Sequence, residues 1–177
     1  MIMSKTFLPF LITLTLSACA ALGTATLYKT KERIEVIKIG FVDFTADVIS
    51  KEVYPKANEI FRAAVIKSFA EFGIDSVTYF QDNFDYNKPD ANAIKNFCIN
   101  QSLDGIIISE FKFVRITRSY DTEVGMKLFD KNGKLLISTL HNTLKGNSYM
   151  TPPSPEVTVR DGVRGATRQM TKEIKSK

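Results

Sequence analysis

The segment from Arg33 to Phe44, RIEVIKIGFVDF, is apolar on both of its alternating faces. Ile34, Val36, Ile37, Ile39, Phe41, Val42 and Phe44 leave neither side suited to water. Such a strand belongs in the interior of a sheet that is covered on both faces. The chain must therefore supply covering layers, and helical patterns follow at once. Ala57, Ile60, Phe61, Ala64, Val65, Ser68, Phe69 and Phe72 recur at three- and four-residue steps, the signature of an amphipathic helix. Pro55 suits a first helical turn, and Gly73 suits the left-handed position after the last one. Asp75 to Phe80 then reads as a second strand.

The polar stretch from Gln81 to Asp90 carries Asp82, Asp85 and Asp90. It lacks the sixth-position glycine and the closing glutamate of a calcium loop, so no metal site is expected. Asp90 instead suits a helix cap, with Ala93, Ile94, Phe97 and Cys98 as the inner face of a helix ending near Ser102. Gly105 leads into Ile106-Ile107-Ile108 and a long strand. Phe111 and Phe113 share one alternation phase and Val114 and Ile116 the other, which predicts a bulge or burial on both faces. Tyr120 to Leu128 alternates as a further strand. Asp130-Lys131-Asn132-Gly133 is a hairpin signal, and Leu135 to Leu140 returns. Gly146 to Pro155, with three prolines, reads as an extended connector. Val159, Val163, Ala166, Met170 and Ile174 form a last amphipathic helix, with Ser154 and Pro155 at its start. The expected fold is α/β (α+β): a mixed sheet of about five strands in β-α-β-α-β-β-β-α order, with helices packed on it.

The first residues carry an address. Lys5 precedes an apolar run from Phe7 to Leu16. Charge, apolar core and small residues in that order form a secretory signal. The core is roughly ten residues, against about 20 for a membrane-crossing helix. Leu16-Ser17-Ala18-Cys19 resembles the bacterial lipobox. That resemblance implies a diacylglycerol thioether on Cys19, cleavage before it and acylation of the new amine. Ala20, not aspartate, resembles the outer-membrane default in envelopes with two membranes. The expected organisation is a signal peptide over 1–18, a lipidated tether over 19–33 and one α/β domain over 34–177. A flexible tether of that length spans about 20 Å. The expected location is the outer membrane, lipid-anchored and on its periplasmic side.

Net charge is +5. In an exported protein this favours anionic envelope components over nucleic acid, which is not expected as a partner. Much of the excess lies in the last helix, where Arg160, Arg164, Arg168 and Lys172 recur every four residues along one face. The stripe is either a solvated face, with cations favoured near a helix C-terminus, or a docking face for an anionic partner or lipid. Cys98, without a partner if Cys19 carries lipid, reads as a small buried core residue. His141, the only histidine, reads as a strand residue. No zinc motif and no nucleotide loop occurs, so neither a metal nor another cofactor is expected. Asp43, Glu110, Asp121 and Glu123 are not paired by spacing for acid–base work, and no catalytic residue is assigned.

Ile39 to Phe44, Ser102 to Ser109 (SLDGIIIS) and Val124 to Ile137 (VGMKLFDKNGKLLI) resemble the opening strand, the "lgaDyii.G" segment and the hairpin of a group of envelope proteins. That group comprises CsgG, the N-terminal domain of TolB and LpoB. The resemblance implies an α/β domain of the bacterial envelope and transfers no site residue. The segments between core elements are too short for the extra barrel strands of CsgG-type channels, and the tether is too short for the long LpoB arm. The expected role is non-catalytic binding or assembly of an envelope component. The alternatives are a subunit of an oligomeric secretion or channel assembly and, below that, a cell-surface enzyme with Asp43, Glu110 or Glu123 clustered in a pocket.

Overall fold

The computed structural model describes residues 23–115, 120–146 and 150–175. The export segment and Cys19 lie outside the described residues, as does Ile116. Ile39–Asp43 (β2) is the interior strand that its two apolar faces require. It runs parallel to Val77–Asn83 (β4) on one side and to Gly105–Arg115 (β5) on the other. The expected meander follows. β5 pairs antiparallel with Asp121–Asp130 (β6), and β6 with Leu135–Asn142 (β7). The slip in β5 is a bulge, where the register shifts between Phe113 and Arg115.

Two further strands raise the sheet to seven. Thr24–Lys29 (β1) pairs with β7, and the two-residue Thr45–Ala46 (β3) pairs with β5. The main order is β1-β7-β6-β5-β2-β4. The sheet is open and mixed.

Its faces are covered by different helices. Ala57–Glu71 (α2) and Pro155–Lys175 (α5) share one face. There Phe61, Val65 and Phe69 of α2 and Val159, Val163, Ala166 and Met170 of α5 meet Phe41, Phe111, Val124 and Met126 of the strands. Ala91–Gln101 (α3) lies on the other face, where Ile94 and Cys98 meet Val42, Ile106, Ile108 and Phe129. The local signals work as expected. Gly73 adopts φ +75° after α2, and Asp90 Oδ1 accepts the Asn92 and Ala93 amides at the start of α3. Two short helices, Val48–Val53 (α1) and Thr143–Gly146 (α4), complete the elements among the described residues.

Two expectations change. Residues 24–29, assigned above to the tether, are a strand. The segment resembles a linker because Thr24 and Thr26 face polar groups rather than an apolar core. The first core strand begins at Ile39 and not at Arg33. The Ile37 and Lys38 amides bond Asp104 Oδ2 at 3.1 and 2.8 Å, so the backbone there is held by a carboxylate instead of a ladder. Between β3 and α2 lies α1, capped by Asp47, whose Oδ1 accepts the Ser50 amide at 2.6 Å.

Candidate functional site

The candidate site is built on α5. Its inner face is unusually thin. A Cβ at Gly165 would fall within 2.5 Å of three ring atoms of His141, and one at Gly162 would fall 2.8 Å from Thr122 and Val124. The helix therefore rides close on β6 and β7. His141 is buried beneath it, with its Nδ1 hydrogen-bonded to Thr24 Oγ1 on β1. The lone histidine is a packing residue, as its strand position suggests.

A polar clamp ties the same helix to β1. Thr26 Oγ1 donates to Glu173 Oε1 at 2.9 Å and accepts from Gln169 Nε2 at 2.6 Å. Lys29 Nζ lies 3.2 Å from the other Glu173 oxygen. Burial pushes the Glu173 carboxyl up, but the bonds from Thr26, Lys29 and Gln169 outweigh it and hold the group below its usual range. Sequence reasoning misses this clamp. Its only traces are the two-residue spacing of Thr24 and Thr26 and the four-residue spacing of Gln169 and Glu173.

The opposite face of α5 carries the basic stripe, and all four of its residues are exposed. They are not equivalent. Arg160 pairs with Glu156 one turn earlier, and Arg164 Nε lies 3.3 Å from Glu71 of α2. Arg168 and Lys172 have no carboxylate partner among the described residues. Arg164, Arg168, Lys172 and Lys175 line a shallow groove of about 1010 Å³. Thr24 and His141 bound it at the sheet edge, and Phe72 bounds it at the end of α2. Among the described residues, Asp161 is the one acidic residue in that lining. Arg160 faces a second groove, between α2 and α5.

The carboxylates considered for chemistry fall on two faces of the sheet. Asp43 accepts the Tyr79 hydroxyl at 2.8 Å beside Arg62, on the α2 side of the sheet. Glu110 and Glu123 alternate with Phe111 and Val124 and so lie on the other face. Glu123 pairs with Lys112 at 2.6 Å and accepts from Asn142. Burial raises the Glu110 carboxyl, Lys112 and Lys127 pull it back, and the neighbouring Glu123 carboxylate adds to the rise. Asp121 is buried and accepts from Thr143. Cys98 is fully buried, and burial pushes its thiol up to about 11. Among the described residues no group of three or more His, Cys, Asp or Glu side chains is arranged to hold a metal ion. No described helix is long and apolar enough to cross a membrane.

Fold and site together define an open, mixed α/β sheet domain with a cationic groove along its C-terminal helix. No protein-family model and no curated protein matches the chain. Solved structures do. The PelC dodecamer from Paraburkholderia phytofirmans is 11% identical, with a TM-score of 0.58, over 87% of this chain and 97% of that one. TolB from Acinetobacter baumannii is 17% identical over 86% of this chain and 30% of its own, with a TM-score of 0.39. The lipoprotein GNA1162 from Neisseria meningitidis is 14% identical over 76% and 96%, with a TM-score of 0.34. At these identities the PelC likeness establishes the fold alone, and the other two are too distant in shape to carry an argument.

Proposed function

We propose that this chain is a lipid-anchored protein of the bacterial envelope, with a non-catalytic role in binding or assembling another envelope component. The observation that carries the reading is Leu16-Ser17-Ala18-Cys19 at the end of an export-type segment, with the first strand starting five positions after the cysteine. The outer membrane, periplasmic side, is the proposed location, because Ala20 follows the cysteine. Asp43 lies on the face of the sheet opposite Glu110 and Glu123, and Glu123 is answered by Lys112, which supports a role without catalysis. Two acyl chains hold a protein firmly to a bilayer where one does not. Cys19→Ala should therefore move the protein from the membrane to the soluble fraction, and the mature protein should begin at an acylated Cys19 by mass spectrometry. A bare thiol, or a variant that stays in the membrane, overturns the reading.

A second reading is a subunit of an oligomeric assembly. It is favoured by the likeness to PelC, a dodecamer whose chain is covered almost entirely by this fold. Detergent-extracted protein should then have a native mass many times that of one chain; a monomer would rule this reading out.

A further inference from the structure

We infer that the α5 groove is the surface on which the anchored domain lies against anionic phospholipid head groups of its own membrane. The inference rests on the lipid anchor proposed above and adds an orientation to it. Two observations carry it. The first is chain length. Thr24 follows Cys19 by five positions, so β1 begins within about 17 Å of the anchor even at full extension. Thr24 is also part of the groove wall. The strand that receives the anchor is therefore the edge of the groove, and β1 is bound to β7 and clamped to α5 through Thr26 and Glu173. The domain has little freedom to turn that edge away from the bilayer.

The second is charge. Among the described residues, Arg168 and Lys172 have no carboxylate partner, Arg164 and Lys175 stand beside them, and Asp161 is the sole acidic residue of the lining. Electrostatic attraction to an anionic surface fades over about 8 Å at physiological salt. A short anchor at the groove edge brings these side chains toward that range. Each unopposed cation near such a surface strengthens attachment by about fivefold.

The test uses the full lipidated chain reconstituted into vesicles of phosphatidylcholine alone or with phosphatidylglycerol. Lysine acylation is followed site by site by mass spectrometry. Lys172 should react several-fold more slowly in the phosphatidylglycerol vesicles, while exposed Lys95 on α3 and Lys131 in the hairpin react equally in both. Arg168→Glu should abolish the difference without changing the fold or the anchor. Equal Lys172 rates in the two vesicles overturn the inference. So does protection of Lys172 by polyglutamate but not by phosphatidylglycerol, which would assign the groove to an acidic polypeptide. If Cys19 proves bare, the anchor reading fails separately. Flotation of the unanchored chain with phosphatidylglycerol vesicles then decides the groove, and absence of salt-sensitive flotation overturns it.

Discussion

Replacing Gly165 by alanine sets two physical effects of opposite sign against each other. By helix propensity alone, an interior glycine costs about 1 kcal/mol relative to alanine, so Gly165→Ala should stabilise α5. Packing says otherwise. The new methyl would overlap Cγ, Nδ1 and Cε1 of His141, all within 2.5 Å. That ring is 5% exposed and hydrogen-bonded to Thr24, so it cannot swing into solvent without breaking contacts. Overpacking a close contact costs about 1–3 kcal/mol. For a clash this short the upper part of that range applies, and the net loss should be about 1–2 kcal/mol once the propensity gain is set against it. With a urea m-value of ~2 kcal/mol/M, the unfolding midpoint should fall by about 0.5–1 M. The partner mutation isolates the cause. In a His141→Ala background the clash is gone, and Gly165→Ala should raise stability by about 1 kcal/mol. The two sites should therefore be coupled by about 2–3 kcal/mol. A Gly165→Ala protein as stable as the parent, or additive with His141→Ala, would refute the close seating of α5.

Two more expectations concern the core and the start of β2. Phe61→Ala should cost about 3–5 kcal/mol, since its ring is fully buried with centroids 4.2 Å from Phe44 and 6.2 Å from Phe41; urea unfolding measures it, and a loss near zero would contradict the core described. Asp104→Ala should cost about 1 kcal/mol, below the usual range for bonds to a charged group because the carboxylate is largely solvated. The Lys38 and Ile37 amides hold the Asp104 carboxyl below its usual 3.8. Its contribution is thus present above that value and lost as pH falls through the lowered one. The variant should lose less stability on acidification than the parent, and parallel acid titrations of the two would contradict this.

The elements legible in the sequence are those whose side chains meet an apolar core. α2 is legible because Phe61, Val65 and Phe69 repeat at helical spacing on one buried face. The interior strand is legible because Phe41 and Val42 enter opposite cores. β1 is not, because its inward partners are polar. Thr24 meets a histidine and Thr26 a glutamate and a glutamine, so no hydrophobic alternation marks the strand. Arg33 to Lys38 misleads in the opposite way. Its apolar residues look like a strand, but the ladder begins only where Val77 and Gly105 stand beside Ile39.

The same contrast explains what is visible of the candidate site. The four-residue recurrence of Arg160, Arg164, Arg168 and Lys172 places them on one side of a helix, and all four are exposed. It cannot say which charges are already answered. Glu156 is local and can be read from its four-residue spacing to Arg160, whereas Glu71 reaches Arg164 only because α2 packs beside α5. The groove is thus a product of the tertiary arrangement, with Phe72 from one helix and Thr24 from the edge strand as its limits. Its position next to β1 follows from the close seating of α5 over His141, because that seating brings the helix against β7, the strand next to β1. A helix held further out by a larger residue at position 165 would separate the cations from the β1 edge, even with every charge kept.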